Sequence, residues 1–242
     1  MTSVIGEVAS EEGINKFERD ELTGMAGLID NITDCLGFCM SADGDTLSQW
    51  RGYADDGRGV SIGFSHEFLT AITKSNGLVR LQKVIYDLDD QKQRVREIFP
   101  KVNELISEGA VSIPRTNRLL SPKTAEQLQA EMEHYRSKNV ELFGTLTELQ
   151  PIWFSFKNPA FREENEWRLA MNILSPDETD YRTANGRLVP YKAVEFPAAA
   201  TRTLEQLILG PKNTTPIRVV ESFLRRYGFE NVTVSVSTAS YR

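Results

Sequence analysis

Alternation of apolar and polar residues predicts several strands in this chain. Val60 to Phe64 alternates and is rich in β-branched residues, and Leu78 to Tyr86 alternates in the same way. Ile32 to Met40 has the composition of a buried strand. Near the carboxyl terminus, Leu204 to Leu209 and Val232 to Val236 predict two more strands, and Tyr191 to Phe196 is a further candidate.

Helical spacing of apolar residues predicts two long helices between these strands. One covers Asp89 to Glu108, and Ser121-Pro122 is a start signal for another that reaches about Glu148. Shorter helices are predicted over Asn15 to Met25, Thr46 to Tyr53, His66 to Lys74 and Pro216 to Tyr227. The last of these, with Gly228 as its C-cap, lies between two predicted strands and forms a β-α-β unit with them. We therefore predict a single α+β domain over residues 1–242, with a mixed β-sheet core and residues 89–148 inserted as a helical hairpin.

An acidic segment leads into a predicted strand over Asn165 to Asn172. Because side chains alternate between the two faces of a strand, Glu164, Glu166 and Arg168 are predicted to share one polar face. The opposite face carries Trp167, Leu169 and Met171. Carboxylates on a rigid strand can stabilise a cationic carbon or accept a proton, so the three polar residues are candidate catalytic groups. The alternative is a solvent-exposed strand edge whose ion pairs contribute little energy.

The segment Leu47 to Tyr53 combines aromatic, amide and guanidinium groups between two glycine-rich turns. A planar guanidinium can bind phosphate, and aromatic rings can stack on a base or on nicotinamide. The candidate cofactor-binding residues are Ser48, Gln49, Trp50, Arg51 and Tyr53. The alternative is that Trp50 and Tyr53 attach a short helix to the core, with Arg51 outside.

Composition excludes several classes of function. The net charge of -6 and the pI near 5.2 argue against the clustered Lys and Arg that sequence-independent duplex binding requires. Cys35 and Cys39 lack a second ligand pair at zinc spacing, so we expect two buried thiols in a reducing compartment and no metal. Met1 to Ser10 lacks secretory features, and no window approaches the roughly 18 apolar residues of a membrane span. We expect a cytoplasmic protein with no membrane partner.

Other motifs in the sequence give weaker signals. Gly57-Arg58-Gly59 and Gly210-Pro211-Lys212 do not match the spacing of a phosphate-binding loop. His66 and His134 lie in predicted helices among polar neighbours, and we interpret both as surface residues. No G-x-S-x-G elbow accompanies them, so neither is assigned to a nucleophile–histidine site.

Several blocks of the chain resemble a family of bacterial domains of unknown function, DUF2971. The resemblance rests on Leu47 to Tyr53, Gly59 to Phe64, Phe156-Lys157, Phe161 and Glu164 to Leu169. Ile208 to Lys212 and Tyr241-Arg242 are similar to the closing blocks of that family. The ordered series extends from about Cys35 to Arg242.

Members of that family commonly begin with a His-Tyr-Thr-Ser-like segment. In this feature the family resembles ADP-ribosyltransferases. Those enzymes hold NAD beside a catalytic glutamate, often in a Glu-x-Glu arrangement, which Glu164-Asn165-Glu166 resembles. The resemblance implies that Glu166 stabilises the oxocarbenium-like ribose and that Glu164 orients or activates the acceptor. It also implies that Arg51 and Tyr53 contact NAD, in a mixed α+β fold with two facing sheets.

The leading hypothesis is thus an ADP-ribosyltransferase-like domain that uses NAD in a bacterial toxin or anti-phage defence system. Its acceptor would be a protein or a nucleic acid, and its partner a protein such as an antitoxin. No His-Tyr-Thr-Ser block occurs before Cys35, which leaves open a degenerate member that binds without turnover. The rival hypothesis is a binding or sensor module whose helices at Asp89 to Glu148 recruit a protein. A third hypothesis is a nuclease whose paired carboxylates hold Mg²⁺.

Overall fold

The computed structural model describes residues 2–32, 34–114, 123–173, 177, 179–184, 186–195 and 203–240. The chain forms two compact units. Unit 1 consists of residues 1–34 and 85–159, and unit 2 consists of residues 35–84 and 160–242. The helices predicted over residues 89–148 lie in unit 1, and the paired strands lie in unit 2.

The helices and strands are as follows. The helices are α1 (Thr2–Glu11), α2 (Lys16–Ile32), α3 (Leu47–Tyr53), α4 (His66–Ser75), α5 (Leu88–Arg96), α6 (Phe99–Ser107), α7 (Ala125–Thr147), α8 (Gln150–Trp153) and α9 (Ile217–Arg226). The strands are β1 (Asp34–Ser41), β2 (Val60–Phe64), β3 (Val79–Lys83), β4 (Glu166–Ile173), β5 (Asp180–Ala184), β6 (Arg187–Tyr191), β7 (Leu204–Leu209) and β8 (Thr233–Val236). A 3-10 helix covers Pro159–Glu164.

Unit 1 is an assembly of helices around one apolar core. Its first helix, α1, buries Ile5 and Val8, and α6 and α7 contribute Leu105 and Leu142 to the same core. The sequence prediction missed α1, and α2 is longer than the helix predicted near its position. Asp89 to Glu108 forms two helices, α5 and α6, rather than one. The start signal Ser121-Pro122 lies outside the described residues, and Thr124 forms the capping box that begins α7.

Unit 2 contains small sheets rather than one continuous sheet. Within the described residues, one sheet has the order β1-β4-β3, a second has the order β2-β7-β8, and β5 pairs with β6. Strand β3 is antiparallel to β4, β2 is antiparallel to β7, and β7 is parallel to β8. The prediction of a mixed helix-and-strand protein with a carboxyl-terminal β-α-β unit is confirmed.

The strand predicted over Tyr191 to Phe196 is wrong for the residues that the structure describes. Strand β6 ends at Tyr191, and residues 192–195 are not in a strand. Phe196 lies outside the described residues. Strands β5 and β6 were missed because most of their side chains are exposed and give no apolar alternation.

Helix α9 ends as the sequence predicts. Gly228 has a positive φ of 84°, which glycine adopts without steric cost. The amide of Gly228 donates to the carbonyl of Arg225 at 3.1 Å, and the amide of Phe229 donates to that of Leu224 at 2.9 Å. These two bonds form a Schellman motif and direct the chain from α9 into β8.

The two glycine-containing segments at residues 57–59 and 210–212 are hydrogen-bonded to each other. The amide of Gly210 donates to the carbonyl of Gly59 at 3.0 Å, and the amide of Lys212 donates to that of Gly57 at 2.9 Å. The amide of Gly57 in turn donates to the carbonyl of Trp50 at 3.0 Å. A Cβ atom added at Gly210 would lie 2.3 Å from the Gly57 oxygen, so only glycine allows this approach. The loop after α3 is therefore held by the turn after β7.

The close approach at Gly210 yields a stability prediction. We expect Gly210→Ala to lower the free energy of unfolding by about 2 kcal/mol, because the loop after α3 must move. The matched control is Gly144→Ala, at an exposed position of helix α7 with no atom near the added Cβ, which should stabilise the protein by about 0.5–1 kcal/mol. Urea unfolding of both variants measures the difference, and equal stabilities would contradict this account.

Candidate functional site

A cleft of 840 Å³ opens in unit 2. Strands of both three-stranded sheets line it: β1, β3 and β4 from one sheet, and β2 and β7 from the other. Five aromatic side chains are part of the wall, namely Phe38, Trp50, Tyr53, Phe64 and Trp167. The volume lies within the roughly 300–1,000 Å³ of small-molecule sites.

The cleft brings together three of the five predicted cofactor-binding residues. Gln49, Trp50 and Tyr53 line it from helix α3, with Trp50 only 2% exposed and Tyr53 79% exposed. Ser48 and Arg51 do not line it. The Ser48 hydroxyl is buried and has no hydrogen-bond partner among the described residues. Arg51 is exposed; the pKa of Asp56 is lowered mainly by its hydrogen bond from Lys212, and the charge of Arg51 adds to this effect.

Asp45, at the start of the α3 region, holds Trp50 in place. Its carboxylate accepts a hydrogen bond from Trp50 Nε1 at 2.7 Å. It also accepts bonds from the Ser237 hydroxyl, from the amide of Thr238 at 2.7 Å and from the Thr238 hydroxyl at 2.9 Å. One carboxylate thus joins the wall of the cleft to the segment after β8.

These hydrogen bonds also govern the ionisation of Asp45. Burial by itself would raise the pKa of the carboxyl group, but the bonds from Ser237, Thr238 and Trp50 outweigh burial and lower the pKa below 3.8. A carboxyl group with a depressed folded-state pKa stabilises the fold above its unfolded-state value. This stabilisation is lost as the pH falls through 3.8 towards the lower folded-state pKa.

We predict that Asp45→Asn lowers the free energy of unfolding by about 2 kcal/mol at about pH 7, because charge-assisted hydrogen bonds are lost. The deficit relative to the unmodified protein should shrink at about pH 3, because the carboxyl group of the unfolded chain, with a pKa of about 3.9, is then largely protonated and the unfolded state gains stability. Urea unfolding of both proteins at the two pH values measures it. A deficit that is the same at both values would show that the charge of Asp45 is not responsible.

The acidic segment is only partly in the predicted strand. Strand β4 begins at Glu166, Glu164 ends the 3-10 helix, and Asn165 between them has a positive φ of 42°. The prediction that Glu164 shares a strand face with Glu166 and Arg168 is therefore wrong. The local reason is that the chain turns at Asn165, a residue type that tolerates left-handed backbone.

Glu166 and Arg168 do share a face of β4, where they form an ion pair. Arg168 donates from Nε to Glu166 Oε1 at 2.8 Å and from Nη2 to Oε2 at 3.2 Å, a bidentate arrangement. Glu166 is 5% exposed, so the alternative of a solvent-exposed strand edge does not hold for this residue. Neither side chain lines the cleft, whereas Trp167, on the other face of the strand, does.

Glu164 lies next to a segment that lines the cleft. The Ser41 hydroxyl donates to the carbonyl of Glu164 at 2.8 Å, and the amide of Ala42 donates to the carbonyl of Asn165 at 2.9 Å. Ser41 and Ala42 are both part of the cleft wall. The backbone of the Glu164-Asn165 turn is therefore fixed along the edge of the cleft.

The two cysteines differ in environment, and the expectation of two buried thiols is wrong for Cys39. Burial raises the pKa of the half-buried Cys35 thiol to about 11, although Arg80 and Arg168 oppose the shift. Cys39 is exposed and lines the cleft. The two residues occupy the same strand, β1, whose end at Ser41 reaches the cleft.

We predict that an alkylating reagent modifies Cys39 at least about tenfold faster than Cys35 at about pH 8. At that pH a thiol of pKa about 11 is thiolate in about one molecule in a thousand, and only the thiolate reacts. Mass spectrometry of peptides after timed iodoacetamide treatment measures both rates, with Cys39→Ser as the control. Equal rates at the two positions would contradict the described burial.

Sequence analysis missed several polar residues that form or support the cleft, four of which carry a carboxylate or an imidazole. Asp43, His66 and Glu205 line it, and Asp45 supports it through Trp50. The Asp43-Gly44-Asp45 segment carries turn chemistry, and Asp43 Oδ1 does accept from the amide of Asp45 at 3.0 Å. That local signal accounts for the turn but gives no indication of the long-range bonds to Thr238. His66 and His134 are exposed, as predicted.

The described residues contain neither a metal-binding cluster nor a membrane-spanning helix. No group of three or more His, Cys, Asp or Glu residues there has the arrangement of a metal site. None of the described helices combines the length and the hydropathy needed to cross a membrane.

Fold and site together define a mixed α/β protein whose second unit carries an aromatic-walled cleft. The chain belongs to the family described as Protein of unknown function (DUF2971), whose model matches residues 49–169, half of the chain. The matched region includes both Trp50 and Trp167, so it covers residues that line the cleft from different strands and helices. No curated protein and no solved structure matches the chain. The predicted family membership is confirmed.

Proposed function

We propose that unit 2 is an ADP-ribosyltransferase-like domain that binds NAD in the cleft. The proposal is carried by one observation: Gln49, Trp50 and Tyr53 of α3 line the same cavity as Trp167, which is distant from them in sequence. We further propose that it acts in the bacterial cytoplasm, in a toxin or anti-phage defence system, with a protein or nucleic-acid acceptor.

The aromatic walls support binding of a planar ring. Trp50 is almost completely buried and is fixed by its bond to Asp45, so it supports the wall from within. The half-buried Trp167 and the exposed Tyr53 offer ring surface to a ligand. Gln49 adds an amide that can exchange two hydrogen bonds with a carboxamide such as that of nicotinamide. The exposed Tyr53 leaves one side of the cleft open for the rest of the dinucleotide.

We propose Glu164 rather than Glu166 as the catalytic carboxylate; the side chain of neither glutamate lines the cleft. The Glu166 side chain is buried and bound to Arg168, so acting on a ligand would require breaking a bidentate ion pair. Glu164 is anchored through its backbone beside Ser41 at the edge of the cleft. In this proposal Glu164 stabilises the oxocarbenium-like ribose, and the Glu166–Arg168 pair is a positioning element that holds the start of β4.

A second candidate is a module that binds a ligand without turnover, with a protein partner recruited by the helices of unit 1. The ion pair between Glu166 and Arg168 is the observation that favours this second candidate. If Glu166 is the carboxylate on which catalysis depends, its pairing with Arg168 leaves the cleft without its catalytic group.

Incubation with labelled NAD and bacterial lysate tests the proposal. We expect the unmodified protein to consume NAD and to transfer label, and Glu164→Gln to lose about 100-fold or more of that activity. The matched control is Glu163→Gln, an exposed carboxylate in the same 3-10 helix, which should retain full activity. Protease or nuclease digestion of the labelled product then identifies the acceptor class.

Glu166→Gln distinguishes the two roles of the glutamates. We expect it to lower activity and thermal stability together, because Arg168 loses its carboxylate partner. Loss of activity in Glu166→Gln with unchanged stability would assign catalysis to Glu166 instead. If the unmodified protein binds NAD but neither consumes it nor transfers label, the module without turnover is the correct candidate.

A further inference from the structure

A second cavity, of 610 Å³, lies in unit 2. Its floor is the small core between α4, β3 and β4, where Phe68, Ile72 and Met171 are buried. Six half-buried apolar side chains form its sides: Leu36, Phe64, Leu69, Leu169, Val189 and Val194. Because these six are only half-buried, they keep apolar surface that a ligand can cover, and covering such surface is favourable. The volume lies in the range of small-molecule sites.

The charged side chains at the second cavity are basic. Arg182 on β5 and Lys192 after β6 line it, and no Asp or Glu does so in the part of the chain that the structure describes. Arg182 is paired in register with Val189, so both side chains project from the same face of the β5-β6 hairpin. Asp180 shares that face but does not line the cavity. Both basic residues are exposed, so an anion bound to them stays in contact with water and avoids the cost of complete burial.

The second cavity shares one wall with the aromatic cleft but has the opposite charge. Phe38, Phe64 and Leu69 line both spaces, and the rings of Phe38 and Phe64 meet edge to face with their centroids 5.8 Å apart. The carboxylates of Asp43 and Glu205 are in the wall of the cleft, where no described Lys or Arg is found. An anion with an apolar tail therefore suits the second cavity rather than the cleft.

We propose that the second cavity binds a medium-chain alkyl carboxylate. The alkyl chain lies on the apolar floor, and the carboxylate lies at the mouth, where Arg182 and Lys192 supply the positive charge. A guanidinium binds a carboxylate through two parallel hydrogen bonds, whereas an ammonium adds a point charge. This inference goes beyond the proposed NAD activity and does not depend on it, because both basic residues and the buried floor lie outside the cleft.

Calorimetry with octanoate, the neutral 1-octanol and the cation octylammonium tests the role of charge. We expect octanoate to bind at least about fivefold more tightly than octanol and at least about tenfold more tightly than octylammonium. Hexanoate and decanoate test the role of the apolar floor, since each added methylene should tighten binding about three- to fourfold. No binding of octanoate, equal or tighter binding of octanol or octylammonium, or equal binding of the three carboxylates overturns the proposal.

Removal of one positive charge at the mouth tests the assignment of Arg182. Arg182→Gln should weaken binding of octanoate about fivefold and leave binding of octanol unchanged, because only the carboxylate interacts with the guanidinium. The matched control is Arg187→Gln, an exposed arginine of the same hairpin that does not line the cavity, and it should change neither affinity. Unchanged affinity for octanoate in an Arg182→Gln protein that thermal unfolding shows to be folded overturns the role of Arg182.

The two cysteines locate the bound ligand. Cys35 lines the second cavity and not the cleft, whereas Cys39 lines the cleft and not the second cavity. Saturating octanoate should slow alkylation of Cys35 by iodoacetamide at least about fivefold at about pH 9 and leave the rate at Cys39 unchanged. Mass spectrometry of the two cysteine peptides measures both rates. Slower alkylation of Cys39, or an unchanged rate at Cys35, overturns the location of the site and with it the proposal.

Discussion

The carboxylate of Asp45 is the contact on which the geometry of the cleft depends. It joins Trp50 on α3 to Ser237 and Thr238 after β8, residues from near opposite ends of unit 2. A second set of hydrogen bonds also holds helix α3. The turn at Gly210 is bonded to the loop at Gly57, and the Gly57 amide donates to the carbonyl of Trp50. Trp50 therefore has a defined position in the cleft wall because both ends of α3 are bound to the carboxyl-terminal β-α-β unit.

Strand β4 divides structural and chemical roles between its faces. The Glu166–Arg168 pair occupies one face and is buried, and charges buried in this way are costly unless they are paired. Trp167 on the other face contributes an aromatic ring to the cleft. The charged motif that looks most like a catalytic site in the sequence thus has a structural explanation. Trp167 lines the cleft and is therefore a better candidate for ligand contact than Glu166 or Arg168.

Local patterns predicted much of the fold of unit 2. Strand β2, helices α3 and α4 and the β7-α9-β8 unit follow from alternation, caps and glycine stops, which act within a few residues. The site was less predictable because its walls come from distant segments. The turn at Asn165 removed Glu164 from the strand, and the exposure of Cys39 depends on the cleft itself. Asp45 reads as a turn residue, since its decisive partner, Thr238, lies 193 positions away.

The proposed function requires that Trp50 and Trp167, which line one cleft, respond to the same bound ligand. The chain has three tryptophans, and the third, Trp153, belongs to the core of unit 1 and provides an internal reference. The most direct measurement is the NMR shift of the three indole N–H signals during titration with nicotinamide riboside. If both residues line one binding site, the signals of Trp50 and Trp167 move with one shared dissociation constant while that of Trp153 stays in place. Movement of only one of the two, or of Trp153 to the same extent, would contradict it.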